Sequence, residues 1–400
     1  MQRKVIIYRD LLLPYSETFI PAQVESLTTY TGFYVGTSRT ANAADLIPPD
    51  RIITLSDFVQ SAGVWKMAFK LGGVVHPQWL QSLQALSPSL IHAHFGLDGI
   101  WGMRLARRLQ LPLVVTFRGN DITGMDLKLG QRAPSALNFW HRRGQFFRDY
   151  YVQRRPQLFQ TAHYCIGVSD FIRRKVVEKG CPPEKAVVIY NGVNLDKFSF
   201  DPTLTREPVV LFVGRLVEKK GCEYLLRAMA AVQATRPDVE LVLIGDGPQR
   251  AELECLAQSV LKQYRFLGPQ PHTTVKEWMN RANVLCAPSI TAATGDSEGL
   301  PNVVTEALAM QLPVVGSVHA GIPEAVVHGE TGFLTAERDW EAIAEHLLFI
   351  LNYPEMRNQM AIAGRQRIEQ QFDQKHSIAK LEALYSEILA EPSVVTKHPL

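Results

Sequence analysis

The strongest constraint on the fold is an alternation that runs along the chain and then begins again. Short runs rich in β-branched and aromatic residues, "KVIIY", "GFYVGT", "RIITL", "LIHAHF", "LPLVVTFRG", "HYCIGVS" and "AVVIYNG", are separated by stretches with helical spacing. After the polar stretch "NGVNLDKFSFDPTLTREP" the pattern resumes with "VVLFVGR", "VELVLIGDG", "YRFLGP", "ANVLCAPS", "LPVVGS" and "TGFLT". Strands alternating with helices predict parallel α/β sheets. The restart predicts two domains, with the boundary near residues 196 to 207, and 400 residues fit two cores better than one at ~100–200 residues per domain. Two such domains imply a cleft, and open parallel sheets bind ligands at the carboxyl ends of their strands. Every loop that follows a strand is therefore a candidate site. Residues 337 to 390 read as terminal helices, with "DWEAIAEHLLFILN" and "HSIAKLEALYSEILA" amphipathic.

Composition excludes several classes. No apolar run approaches the ~18 residues of a membrane span. In "MQRKVIIYRDLLLPY", Arg9 and Asp10 interrupt the apolar segment short of signal-peptide length, so a first strand is expected there. The five cysteines are dispersed and lack CxxC spacing, which points to neither a disulfide framework nor zinc. A reducing, cytoplasmic setting is the expectation. A net charge of +3 is too small to imply nucleic acid.

The stretch "GDSEGLPNVVTEALAM" carries chemistry. Pro301 pre-sets φ for a helix start, and Val303, Val304, Ala307, Leu308 and Met310 have the spacing of a buried face. Glu298 then lies just outside a helix N-terminus and Glu306 about two turns on. Such a terminus offers N–H groups and partial positive charge to an anion. A ligand with both hydroxyls and phosphates would use all of this.

At these residues the chain resembles the retaining glycosyltransferases of family 4, which have the GT-B architecture of two facing Rossmann-like domains with an interdomain cleft. The resemblance covers nearly the whole chain and rests on "SETFI", "HAHFG", "FRGND", "GVSDFIRR", "VIYNGVNLDKF", "FVGRLVEKKG", "LIGDGP" and the Glu298/Glu306 pair, in order. "SETFI" and "TAATGDSEGLP" look most like the exopolysaccharide-building, colanic-acid-type members. The expected division is 1–196 for an acceptor-side domain, 207–370 for a donor-binding domain, and 371–400 for a C-terminal helix returning to the first domain plus a tail.

The resemblance implies roles. Arg215 and Lys220 would hold the donor diphosphate and neutralise the charge that grows as the glycosidic bond breaks. A solvated turn is the bland alternative. Glu306 would grip ribose hydroxyls, since a carboxylate accepts two neighbouring O–H bonds. Glu298 would bind the donor sugar, helped by the N–H groups of Gly299, Leu300 and Asn302, while Pro301 has none to give. Its alternative is a charge on the helix dipole. Gly214, Gly245 and Gly247 complete the donor side. No metal or cofactor is expected, and the mechanism needs no protein nucleophile. A glycoside hydrolase dyad ranks low, because one carboxylate lies in a phosphate-suited loop.

In the first domain the chain departs from the family. Arg118 stands where members commonly carry a histidine near the reacting carbon, and an arginine cannot act as a base. Arg118 still joins Arg215, Lys220 and Glu298 as an expected catalytic residue. His94 could compensate or simply be packed. Asp121 could position Arg118 or a substrate hydroxyl, or form an Asx turn. No glycine fingerprint follows the first strand, which disfavours an NAD-dependent oxidoreductase. Ser16 and Glu17 are expected on the acceptor side at a helix start, where capping explains them equally well.

Residues 138 to 159 hold five arginines, one aspartate and seven aromatic residues. That mixture suits an anionic membrane surface or a lipid-diphosphate acceptor, or else an ordinary helix with its aromatics inward. The expected activity is transfer of a sugar from a nucleotide diphosphate donor, a UDP-sugar first and GDP-mannose next, to a saccharide or lipid-linked hydroxyl. A GT-B epimerase or phosphorylase, and a non-catalytic nucleotide-sugar-binding subunit, are the alternatives.

Overall fold

The computed structural model describes residues 2–12, 17–41, 47–124 and 139–390, with the backbone alone at 139–145. The chain forms two compact units. The first comprises Met1–Val168, Ile172–Asn191 and Ser377–Leu400, and the second Ser169–Phe171 and Gly192–His376.

The first unit holds a seven-stranded parallel sheet: β1 (Arg3–Tyr8), β2 (Tyr30–Gly36), β3 (Ile52–Thr54), β4 (Leu90–His94), β5 (Leu113–Phe117), β6 (Tyr164–Gly167) and β7 (Ala186–Val188). Their order is β3-β2-β1-β4-β5-β6-β7, with Val5 in register with Gly32 on one side and Leu90 on the other. Central strands of such a sheet are covered on both faces, and Val5, Ile6, Ile7 and Tyr8 are accordingly all buried. Helix α1 (Phe19–Val24) follows β1, α2 (Gly96–Leu109) joins β4 to β5, and α3 (Phe139–Thr161) precedes β6.

The second unit repeats the plan in six parallel strands: β8 (Val209–Val213), β9 (Glu240–Ile244), β10 (Tyr264–Phe266), β11 (Val284–Ala287), β12 (Val314–Ser317) and β13 (Gly332–Thr335), in the order β10-β9-β8-β11-β12-β13. Helix α4 (Asn302–Ala309) lies between β11 and β12. In each unit the strand order reverses beside the first strand, between β1 and β4 and between β8 and β11. These are the switch points at which an open parallel sheet leaves a crevice.

The polar stretch at 196–207, expected as a boundary, is tied into the second unit. Val193 N–H donates to the Phe372 carbonyl at 2.8 Å, and Arg365 donates to the Phe198 carbonyl at 2.9 Å. The terminal helices run Trp340–Asn352, Pro354–Gln371 and α5 (Gln374–Ala390). Leu381, Leu384, Tyr385 and Ile388 of α5 join Val5, Ile7 and Val114 in the core of the first unit.

Candidate functional site

In the second unit the loops after β8 and β11 are stitched together. Ile290 N–H donates to the Lys219 carbonyl at 2.9 Å, and Ala293 N–H to Glu218 Oε1 at 2.9 Å. Gly221 sits at φ +65°, and a Cβ there would lie 1.9 Å from the Pro288 carbonyl oxygen, so only glycine allows this approach. The stitching delivers two lysines to one carboxylate. Lys220 Nζ is 3.3 Å and Lys219 Nζ 3.7 Å from Glu298, while Lys219 also reaches Asp296 at 3.1 Å.

Glu298 is buried, and burial alone would raise its pKa. Lys220 and then Lys219 more than offset this, holding the carboxyl below the ordinary glutamate value. Its Oε1 has no hydrogen-bond partner among the described residues. Asp296, under weaker compensation, is shifted upward by burial against the pull of Lys219.

His319 fixes the loop from behind. Its Nε2 accepts the Glu298 N–H at 3.2 Å, so its proton sits on Nδ1, which donates to Glu337 Oε1 at 2.7 Å. Glu337 in turn accepts from Thr291 N–H at 2.9 Å and Thr291 Oγ1 at 3.0 Å. Sequence reasoning missed Lys219, Asp296, His319 and Glu337. "HAGIPE" follows a strand, which was a signal for His319, but Glu337 lies 18 residues beyond it.

Arg215 follows β8 directly, is exposed, and forms no ion pair among the described residues, yet it lies close enough to Asp296 to lower that carboxyl's pKa. Lys220 runs its stem along Gly214, whose built Cβ would contact Lys220 Cε at 3.5 Å. Gly245 and Gly247 have packing reasons of their own. A Cβ would lie 1.9 Å from the Gly214 carbonyl oxygen at the first and 2.3 Å from that of Leu216 at the second.

Helix α4 begins at Asn302, with Pro301 in the N-cap position, one residue later than a start at Pro301. Glu306 is therefore about one turn into the helix, not two. No hydrogen bond reaches the N–H of Gly299 or Leu300 among the described residues, although the Gly299 carbonyl accepts Gly321 N–H at 2.8 Å. Glu306 has no hydrogen-bonding or ion-pair partner among the described residues, and burial pushes its carboxyl up to about 7 against the pull of Lys197.

The first unit's switch point is built differently. Arg9, directly after β1, donates to both oxygens of Glu17 at 2.9 and 2.8 Å and to Asp98 Oδ2 at 2.6 Å. It also stacks 4.6 Å from the Phe95 ring centre. Burial raises Asp98 to about 7 even with Arg9 pulling it down. Glu17 is thus the counter-ion of Arg9 and does not stand free for an acceptor. Ser16 lies outside the described residues.

Arg118 is placed at the end of β5. It donates from Nη1 to Asn191 Oδ1 at 2.7 Å and from Nη2 to His94 Nδ1 at 2.8 Å, and lies 4.2 Å over the Phe19 ring. Burial lowers it to about 9, with Asp121 and Glu17 opposing, so it stays cationic at neutral pH. His94 accepts from Arg118, which leaves its proton on Nε2, a buried atom without a hydrogen-bond partner among the described residues. Burial, then His92 and Arg118, keeps His94 neutral. Asp121 does not touch the guanidinium. It accepts the backbone N–H groups of Arg118 at 3.0 Å, Gly119 at 2.9 Å and Gly96 at 2.9 Å, a structural tie between two strand-end loops.

Along α3 the arginines divide. Arg155 is buried against the Tyr151 ring, whereas Arg154 is exposed. The side chains of Arg142 and Arg143 lie outside the described residues. No helix among the described residues is long and apolar enough to cross a membrane.

Comparison with known proteins identifies the family. Residues 43–197 match the model described as "Glycosyltransferase Family 4" and residues 196–367 that described as "Glycosyl transferases group 1". The chain is 30% identical over 312 residues to the amylovoran biosynthesis glycosyltransferase AmsK of Erwinia amylovora, covering 74% of this chain and 72% of that one. It is 30% identical over 301 residues to a phosphatidyl-myo-inositol mannosyltransferase of Mycobacterium leprae, covering 74% and 72%. Among solved structures it is similar to Anabaena HepE in complex with UDP and glucose, with a TM-score of 0.73 at 18% identity over 96% of this chain and 100% of that one. A sucrose-phosphate synthase from Thermosynechococcus elongatus gives 0.75 at 20% identity over 98% and 100%. With its two Rossmann-like units in the GT-B fold, the chain belongs to glycosyltransferase family 4 and is a hexosyltransferase-type enzyme.

Proposed function

We propose that this enzyme moves a sugar, with retention of configuration, from a nucleotide diphosphate donor to a hydroxyl of a saccharide or lipid-linked acceptor in exopolysaccharide or glycoconjugate biosynthesis. One observation carries the reading: the loops after β8 and β11 gather Lys219 and Lys220 on the Glu298 carboxylate beside the exposed Arg215. The names of the relatives favour polysaccharide or phospholipid-linked acceptors, and the UDP-bound neighbour favours UDP, with GDP-mannose next.

In this scheme the donor diphosphate takes Lys220 and Arg215 as its cations. The acceptor oxygen attacks the anomeric carbon on the face the leaving group vacates, the bond to the diphosphate breaks, and the hydroxyl proton passes to a phosphate oxygen. Fixed cations stabilise the charge that develops there, with no metal required. Glu298, held ionised and oriented through His319 and Glu337, accepts sugar hydroxyls, with the Gly299 and Leu300 N–H groups alongside. Glu306 accepts ribose hydroxyls, which would satisfy a carboxylate that otherwise has no partner.

A melting-temperature screen against UDP-, GDP- and ADP-sugars tests the donor, followed by turnover with and without acceptor and chelator. Nucleotide released only with acceptor, chelator present, is the expected result. Isomerised donor without release would make the enzyme an epimerase, and stabilisation without turnover a binding subunit.

A further inference from the structure

In the first unit, a cavity of about 310 Å³ opens between α2, α3 and the turn of π-helix at Ala68–Gly72. Arg104, Arg107, Arg108 and Arg154 line it together with Tyr150 and Leu71, and no carboxylate among the described residues does. The four arginines are not equivalent. Arg104 is committed to the fold, donating to the Phe69 carbonyl, the Leu71 carbonyl at 3.1 Å and the Tyr150 hydroxyl. Arg107 and Arg108 are exposed and pair with no acidic residue among the described residues. Arg154 rests 5.7 Å from the Tyr150 ring centre and, among the described residues, its side chain donates only to Gln157 Oε1, at 3.4 Å. Its charge also disfavours the protonated form of Arg104, which burial already disfavours.

Like charges gathered in a concave site without a counter-ion repel one another, and an anion relieves them. Guanidinium groups converging from two helices offer forked N–H pairs that match the oxygens of a phosphate. Leu71 is 40% exposed, Val74 48% and Phe146 50%, so an apolar rim lies beside the charges. The cavity is separate from the strand-end loops: Arg104 to Arg108 lie roughly 12–18 Å along α2 from Gly96, at 1.5 Å per residue.

We propose that this arginine cavity is a phosphate-binding site that takes a phosphomonoester or diphosphate group, carried by a lipid or by a soluble molecule. The proposal does not depend on the donor site of the second unit.

The test uses the full chain with Lys220→Ala, so that the loop after β8 does not supply the signal. That protein is compared with one that also carries Arg107→Glu, Arg108→Glu and Arg154→Glu, leaving Arg104 in place. Co-sedimentation with phosphatidylcholine vesicles, with and without phosphatidic acid, reads the lipid source. Thermal stabilisation by inorganic pyrophosphate reads the soluble source. Binding to phosphatidic acid vesicles that falls by about tenfold or more in the triple variant supports a lipid-borne phosphate. Stabilisation by pyrophosphate that disappears in the variant, without vesicle binding, supports a soluble one. Should the glutamates impair folding, the Arg→Gln triple gives the same reading. Neither probe binding, or binding unchanged in a folded triple variant, would overturn the proposal.

Discussion

The two switch points occupy the same place in two sheets of the same strand order, yet their charges are arranged to opposite ends. At the first, Arg9 is enclosed by Glu17 and Asp98, and among the described residues its guanidinium hydrogen bonds end on carboxylates of its own unit. At the second, among the described residues Lys220 forms an ion pair with Glu298 alone, at 3.3 Å, and Arg215 forms none. A cation whose counter-ions are supplied by the fold is a structural group. A cation with charge to spare is available to a ligand. Topology therefore marks where a crevice forms, while counter-ion supply decides whether that crevice binds anions.

The largest effect is expected from breaking the first arrangement. Arg9→Ala leaves Glu17 and the buried Asp98 without their partner, and removal of one member of a buried pair costs about 3–5 kcal/mol. Urea denaturation should show that loss, and a midpoint within error of wild type would break the comparison. Lys220→Ala is the counterpart. It should cost less stability than Arg9→Ala, because Lys219 still faces the buried Glu298, while kcat/KM falls about 10²–10³-fold, the size expected when one fixed donor to developing charge is lost. Equal loss of stability in both variants would mean that the two switch points do the same job.

The contrast also separates what was legible in the sequence from what was not. All thirteen strands of the two sheets coincide with the apolar runs, because a buried parallel strand declares itself locally by β-branched residues between turn signals. Glu298, Lys220 and Arg215 were legible as candidates because their loops follow strands. The second lysine was not, since nothing in "EKKG" tells which ammonium turns toward Glu298. Arg9 pairs with a residue 89 positions away and His319 with one 18 away, and both need the folded topology before they mean anything. Glu17 and Asp121 were read toward substrate because local pattern shows a carboxylate but not the N–H groups or guanidinium it satisfies.

Glu306 sharpens the comparison through pH. Its carboxyl sits near 7 in the fold and near 4.5 when unfolded, so its contribution is full below about 4.5 and is lost as pH rises through 7. Glu306→Gln removes that loss. The variant should match wild type near pH 4 and be more stable above pH 7, by at most about 3 kcal/mol at ~1.4 kcal/mol per pKa unit. Its affinity for the nucleotide should fall at the same time. Melting curves from pH 4 to 8, beside nucleotide titrations, measure both. A variant less stable at pH 8 would show that the carboxylate already has a protein partner.

The smallest effect is expected at Lys219. It lies 3.7 Å from Glu298 but 3.1 Å from Asp296, and reaches the Ser297 carbonyl at 3.5 Å, so it holds the loop that carries Glu298 and has little charge to spare. Lys219→Met should raise KM for the donor severalfold with kcat nearly constant and lower stability by about 1 kcal/mol or less, as for other partly exposed pairs. Lys220→Met in parallel should act mainly on kcat. If the two substitutions gave the same split between KM and kcat, the assignment of one lysine to the loop and the other to the donor would fall, and both would have to be counted as cations of the ligand.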